Sequence, residues 1–437
     1  MLGYYFRIGL SSLRRNPVLT ALMVAAIALG IGASMTSLTV LRAMSGNPLE
    51  HKEGLVYRPQ VDNWSPGRPY SENGEPPNLM SYRDAMNLYN AKQGVRQAAM
   101  FPNVMAVEPV NREIKPYMAE ALFTHGDFFA MFDVPFLYGG GWDARQDEDG
   151  AHVVVISKET NERLFAGENS VGRSLRLGGE DFRVVGVMDE WKPQPRFYET
   201  SGGGFSEIED LFLPFKVGIA REQQSSANNS CWKDPGVGYQ AWLDSECIWM
   251  AFWVELASPA DAPRYREFLD NYAQEQKRLG RIEREKNNRL STVGQWLEAE
   301  RVVPADARSQ VWVAFAFLAV CLVNTVGLLL AKFLARAAEI GLRRAVGASR
   351  RQVFSQFLIE AGLVGSVGAV AGLGLTMLGL SGLRSLYGDS TVGRLAHLEP
   401  SMVAITLGMA LAASLLAGLY PTWKACQVTP ATQLKSN

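Results

Sequence analysis

The residues that could do chemistry are sparse, and their spacing excludes more than it offers. A loop that cradles nucleotide phosphates needs a glycine-rich turn closing on Lys and then Ser or Thr. No stretch has that form, so ATP is not bound by this chain in that way. His51, His125, His152 and His397 are scattered and never fall four residues apart, the spacing that puts two imidazoles on one helix face for zinc. Residues 201–205 hold three glycines with neither a strand before them nor a helix after them, which reads as a flexible loop. Glu207 and Glu209 lie in an acidic stretch and are read as exposed charge, since acid–base work needs a pocket that the sequence does not indicate. Neither a catalytic residue nor a metal site is nominated.

What remains is a charged stretch between two apolar ones. Arg336, Glu339, Arg343, Arg344, Arg350 and Arg351 are interleaved with Ile340, Leu342 and Val346, which fits a short amphipathic helix. Gly347 is a natural stop, and Ser349 can cap the helix that follows. Such a helix either lies in the lipid interface, its arginines meeting anionic headgroups, or docks a soluble partner, and the residues alone leave both open.

The elements that position this stretch are membrane spans. The 437 residues are 47% hydrophobic and 20% charged, an average that suits a water-soluble protein. The apolar residues, however, concentrate in four blocks near the two ends. A bilayer core of about 30 Å needs roughly 20 apolar residues in a helix. Residues 18–41, 311–331, 353–383 and 401–419 qualify, and Glu360 is the only charge of the third run. The first run exceeds the ~7–15-residue core of a cleaved signal and reads as an anchor. Arg7, Arg14 and Arg15 precede the first span, Lys332 to Arg351 supply six cations between the second and third, and Lys424 and Lys435 follow the fourth. Positive charge favours the cytoplasmic side, so these three places and both termini are expected inside.

The expected division is therefore a cytoplasmic segment over 1–16, spans over 17–42, 311–334, 352–383 and 401–420, and an outside domain over 43–310. A cytoplasmic helix covers 335–351, a short outside loop 384–400 and a cytoplasmic tail 421–437. Small residues four apart, such as Ala26 and Gly30 or Gly368 and Gly372, serve either packing within one chain or a dimer seam. With 43 basic and 44 acidic residues, nothing electrostatic argues for nucleic acid as a partner.

About 265 residues between the first two spans are enough for a domain with its own core. Residues 152–156 read as a strand and 158–165 as a helix, while 172–177 and 182–187 alternate around Gly178 and Gly179 as a hairpin. From 260 to 300 the pattern is helical and charged. Lys277, Arg278, Arg281, Glu283, Arg284, Glu285 and Lys286 are read as a solvated helix face, or as a stalk leading to the second span. Cys231 and Cys247 fall in the outside domain, where a bacterial periplasm would be oxidising. A disulfide between them would contribute about 3 kcal/mol, with two buried thiols as the alternative. Trp232, Trp242, Trp249 and Trp253 nearby suit core or partner contacts. The fold class is an α-helical membrane protein with four transmembrane helices and a large α+β domain between helices 1 and 2.

The segment Glu339-Ile340-Gly341-Leu342-Arg343-Arg344-Ala345-Val346-Gly347-Ala348, leading into Gln352 and Phe357-Leu358-Ile359-Glu360-Ala361, resembles the signature of MacB/FtsX-type ABC transporter permeases. Leu13-Arg14-Arg15-Asn16-Pro17 resembles the family's N-terminus, and Ala417-Gly418-Leu419-Tyr420-Pro421 with Pro430 its C-terminus. Val153 to Ile156, Leu164-Phe165, Val171-Gly172-Arg173 and Phe182 to Val187 resemble the MacB-like periplasmic core. Ala337, Ala338 and Trp423-Lys424 depart from the usual polar or basic residues. The resemblance implies a noncatalytic inner-membrane permease subunit, working as a homodimer or as a heterodimer with a related permease. A separate cytoplasmic ABC ATPase would bind ATP and Mg, leaving this chain without a cofactor. Glu339, Ile340, Gly341, Arg343, Arg344, Gly347, Ala348 and Pro421 would couple to that ATPase. Its closure would tilt the first two spans and move the outside domain, driving efflux with a periplasmic adaptor and outer-membrane channel. Lipoprotein release, or regulation of envelope proteins, is the alternative. Substrate-binding residues stay unassigned.

Overall fold

The structure, a computed structural model, describes residues 11, 15–111, 113–284, 287–387 and 400–427. Expectations for Arg7, Leu13, Arg14, Glu285, Lys286, His397, Pro430 and Lys435, and for residues 388–399 of the loop over 384–400, lie outside the described residues. The chain forms two compact units, one from its two end portions and one from Gly46–Val302.

From α1 (Pro17–Ser45) the chain enters the inserted unit, through β1 (Val56–Gln60), β2 (Met80–Ser81), α2 (Tyr82–Asn90), β3 (Arg96–Glu108) and β4 (Tyr117–Thr124). Then come α3 (Asp127–Met131), β5 (Phe136–Gly139), α4 (Ala144–Asp149), β6 (Val153–Ile156), α5 (Lys158–Phe165), β7 (Ser174–Leu177) and β8 (Glu180–Met188). The unit ends with β9 (Leu211–Pro214), α6 (Phe215–Ala220), α7 (Tyr239–Leu243), β10 (Ile248–Glu255), α8 (Ala262–Arg278), β11 (Arg289–Thr292) and α9 (Val293–Ala299). The chain continues through α10 (Ala305–Leu334), α11 (Ala337–Ala345), α12 (Arg350–Tyr387) and α13 (Pro400–Ala425).

The strands form one sheet in the order β11-β1-β10-β3-β4-β9-β6-β8-β5, with β2 beside β10 and β7 joining β3 to β8. Alternation along paired β3 and β4 sends Phe101 and Phe123 into one apolar cluster and Met100 and Leu122 into another. β10 is buried at every position because both faces of this strand are covered. Ser157 caps α5 by accepting from the Thr160 amide. The turn between β7 and β8 is Gly178-Gly179, both with positive φ, as a two-residue hairpin turn of this kind requires.

Two sequence expectations fail. The charged run after residue 276 is not one solvated helix face, nor a stalk into the next span, because α8 ends at Arg278 and β11 and α9 intervene before α10. Arg281 instead turns inward, 3.1 Å from Asp84 and 2.9 Å from Glu246. Glu209 is not exposed charge either. It is buried against Arg196 at 3.2 Å and accepts the Tyr198 hydroxyl at 2.6 Å, and this burial raises its carboxyl above the ordinary glutamate range. The sulfurs of Cys231 and Cys247 are joined, across a separation of 16 residues.

In the other unit, α1, α10, α12 and α13 are each long and apolar enough to cross a membrane. α10 starts at Ala305, six residues before the expected span, and α12 runs from Arg350 to Tyr387. The small residues let helices of one chain approach. A side chain at Gly30 would meet Leu318 of α10, and one at Gly368 or Gly372 would meet Ile27 or Ile31 of α1. Ser34 adds a hydrogen bond to the Ala314 carbonyl at 3.0 Å. These positions pack within the chain and are not open to a dimer seam.

Candidate coupling site

Only 15 residues, 335–349, separate α10 from α12, and α11 is folded into them. Its stop is built by Gly347, whose φ of +105° suits glycine. The Gly347 amide donates to the Arg344 carbonyl and the Ala348 amide to the Arg343 carbonyl, the paired bonds of a Schellman ending. Ser349 then opens α12. The Gln352 amide donates to its hydroxyl, while the Ser349 amide donates to the Gln352 side-chain carbonyl, a reciprocal cap.

The inward face holds α11 in place. Ile340 is buried beside Phe333, Val353, Phe357 and Ala425, and Gly341 is buried as well. Arg343 donates to Glu339 at 2.6 Å and to Gln356 of α12 at 2.9 Å, and Arg344 reaches the Cys426 carbonyl at 3.4 Å. Glu339 also pairs with Arg15 at 3.5 Å, an exposed contact of little energetic weight. One turn before α11, the single carboxylate of the third span has its partners. Glu360 is 2.7 Å from Lys332 and 3.3 Å from Arg336, with Glu360 and Lys332 wholly buried. Ions so desolvated cost several kcal/mol each when one partner is lost, so the pairing fixes α10 against α12. Pro421 is buried inside α13.

The sequence-nominated residues thus separate. Ile340, Gly341 and Pro421 are buried, Arg343, Arg344 and Glu339 are half-buried and engaged within the chain, Ala348 is half-buried, and Gly347 forms the exposed turn. The outward apolar residues are ones that sequence reasoning passed over. Leu342 is 62% and Val346 82% exposed. Their four-residue spacing places them on one side of the helix, a signal visible in the sequence but hidden by the arginines beside them.

A second junction lies in the inserted unit. β1, the first strand after α1, pairs antiparallel with β11, the last strand before α10, with Arg58 opposite Ser291 and Tyr57 opposite Thr292. Thr292 caps α9 through a reciprocal box with Gln295. Trp296 of α9 is fully buried, and its indole donates to the Phe197 carbonyl at 3.1 Å. The Arg58 guanidinium lies 4.2 Å from the Trp296 ring centre and donates to the carbonyls of Tyr198 and Asn78. Burial lowers the Arg58 pKa to about 10, against the opposing pull of Glu300 and Glu199.

Residues 20–272 match the family model of the MacB-like periplasmic core domain, and residues 311–430 that of the FtsX-like permease C-terminal domain. The chain belongs to the MacB-like permease family. Its relatives include the macrolide export ATP-binding/permease protein MacB of Marinobacter nauticus, 22% identical over 434 residues, taking in 97% of this chain and 59% of that protein. MacB of Salmonella paratyphi A is 29% identical over 257 residues, 58% of this chain and 34% of that protein. The chain therefore spans between about a third and three fifths of the length of these two MacB proteins. Among solved structures, the periplasmic region of MacB from Actinobacillus actinomycetemcomitans aligns with 60% of this chain and 100% of its own, at 13% identity and a TM-score of 0.37. As a MacB-like permease with four apolar helices, the protein is a multi-pass membrane protein whose α+β domain is inserted between its first two spans. The matched domains are permease domains, whereas the names of the MacB relatives include ATP binding.

Proposed function

We propose that the chain is the permease subunit of an ABC transporter in a bacterial inner membrane and drives export by transmitting motion to its inserted domain. The preference of positive charge for the inner side, applied to Lys332, Arg336, Arg343, Arg344, Arg350, Arg351 and Lys424, supports a cytoplasmic α11 and, by four crossings, cytoplasmic termini. There a cytoplasmic ABC ATPase, holding ATP and Mg, docks on Leu342 and Val346, and the permease acts with a second copy or a related permease. A periplasmic adaptor and outer-membrane channel would complete an export path.

The observation that carries this reading is the division of α11 into two faces. Arg343 and Arg344, which an interfacial helix would offer to lipid headgroups, turn instead to Glu339, Gln356 and the Cys426 carbonyl. Leu342 and Val346 are left outward on a helix otherwise clamped to α12 and α13. A helix braced on one side and apolar on the other suits a protein groove. A push on α11 passes through the Lys332, Arg336 and Glu360 cluster into α10, and α10 continues by covalent connection to α9 and β11. Because β11 pairs with β1, the connections of both α1 and α10 meet on adjacent strands, so relative motion of these two helices acts on one handle.

The test is copurification. Leu342→Asp with Val346→Asp is expected to weaken ATPase binding by about a thousandfold, since two central apolar contacts at about 2 kcal/mol each sum to about 4 kcal/mol and every 1.4 kcal/mol is tenfold, and to leave the inserted domain folded. Undiminished retention of an active ATPase would contradict the docking face.

A further inference from the structure

The four apolar runs contain two carboxamides, Gln356 and Asn324. Gln356 is buried and accepts from Arg343 at 2.9 Å. Asn324 lies on the exposed side of α10, and its side-chain amide is bonded to none of the described residues. It sits near the middle of the run over 311–331, about 5 Å from the centre at the rise of an α-helix. Water is absent at that depth, and a carboxamide that faces hydrocarbon with its donors and acceptor unmet is costly. Apolar residues facing lipid need no partner, whereas Asn324 does.

The surface around it has a period. Val313, Phe317, Val320, Asn324, Gly327 and Ala331 are all exposed, the first three by 69%, 45% and 57%. Their spacing alternates between four and three residues, as at the a and d positions of a heptad, so they form one stripe about 80° wide along the helix. α10 is also the least buried of the four spans, with 28% of its apolar stretch covered against 39% to 50% in the others. Packing among the described residues does not require Gly327, since a side chain there would meet nothing within 4 Å, unlike one at Gly30 or Gly368. With Ala331 four residues on, it instead lets a second backbone come close.

The chemistry of the stripe says what covers it. A carboxamide both donates and accepts, so two of them facing across a two-fold axis satisfy each other. Two copies of this chain in one membrane share an orientation, and a two-fold axis along the membrane normal brings the stripe of one onto the same stripe of the other. A single polar residue at an a position is how parallel helix pairs fix their register and number. We propose that the second permease of the assembly is another copy of this chain, that the two α10 helices form the seam, and that Asn324 hydrogen-bonds Asn324 of the partner subunit. A related permease lacking a carboxamide at this layer would leave Asn324 unmet, so the same residue selects against it. The inference rests on the transport reading for its two-permease assembly and names the partner which that reading leaves open.

Self-association of the full chain in lipid, measured between two differently tagged copies and combined with disulfide trapping, tests it. Asn324→Leu is expected to weaken association about tenfold, the worth of a polar contact between helices in lipid, and Asn324→Gln to retain most of it. Oxidation with copper phenanthroline is expected to join copies carrying Val320→Cys, on the stripe, and to leave copies carrying Ala319→Cys unjoined, a position exposed about 140° round the helix from Asn324. The native cysteines do not compete, since Cys231 and Cys247 are bonded to each other and Cys321 and Cys426 are buried. Positions 319, 320 and 324 all lie outside the packed side of α10, so trapping reads the seam even where Asn324→Leu disturbs folding. Unchanged association of Asn324→Leu, equal trapping at 319 and 320, or no self-association of the native chain would each overturn the proposal. A retained ATPase without trapping at 320 would sink this seam alone, whereas trapping at 320 without a retained ATPase would sink the transport reading alone.

Discussion

The two junctions of this protein hold a short helix in opposite ways. α11 is held by ion pairs, a Schellman stop and a reciprocal cap, and it leaves Leu342 and Val346 outside. α9 is held by a buried tryptophan, an arginine over its ring and a strand pair, and it buries Val293, Trp296 and Leu297. The first arrangement keeps a surface for another molecule. The second buries the apolar residues of its helix and ties it to the domain core. Under the transmission of motion proposed above, the helix that receives a push is the former and the one that delivers it into the domain is the latter.

If α9 is an anchor, removing its tryptophan should have the largest effect. Trp296→Ala is expected to destabilise the inserted domain by about 3–5 kcal/mol in chemical denaturation, the usual cost of emptying such a site, while ATPase copurification persists. A loss of ATPase retention with intact domain stability would reverse the roles of the two junctions. The disulfide comes next. Reducing Cys231–Cys247, or replacing both residues by serine, should lower the stability of the same domain by about 3 kcal/mol, again with no effect at α11.

The smallest effect concerns the connection following α1. Asp133 accepts from His51 and Lys52, and although burial opposes ionisation, these bonds hold its carboxyl below the ordinary aspartate value. A lowered folded pKa gives stability that is present above the ordinary value near 3.8 and lost as pH falls through the lower folded value. Asp133→Asn, which also tolerates the positive φ at this position, should flatten that acid limb in a pH series of thermal unfolding. An unchanged acid limb would remove Asp133 from the junction.

Local signals in the sequence are strong where one segment decides its own form. Gly178-Gly179 marked the hairpin, 158–165 the helix, and Gly347 with Ser349 the break between α11 and α12. The four apolar runs were legible because a bilayer demands length and composition together. Charge was legible only as charge. Arg281 finds Asp84 across 197 residues, and Glu209 finds Arg196 in a loop without periodicity, so neither burial leaves a local trace. In α11 the arginine pattern identified the helix but not the partners of its arginines, since long basic side chains can turn back to their own bundle, as Arg343 does to Gln356 and Arg344 to the Cys426 carbonyl, as readily as out to solvent.

Site-specific photo-cross-linking in native membranes tests the central claim most directly, with the reactive group placed at Val346 on the outward face or at Ile340 on the inward one. An adduct with a nucleotide-hydrolysing ABC subunit is expected from position 346, identified by mass spectrometry and altered in yield by ATP, and none from position 340. Adducts at 346 to lipid alone would contradict it.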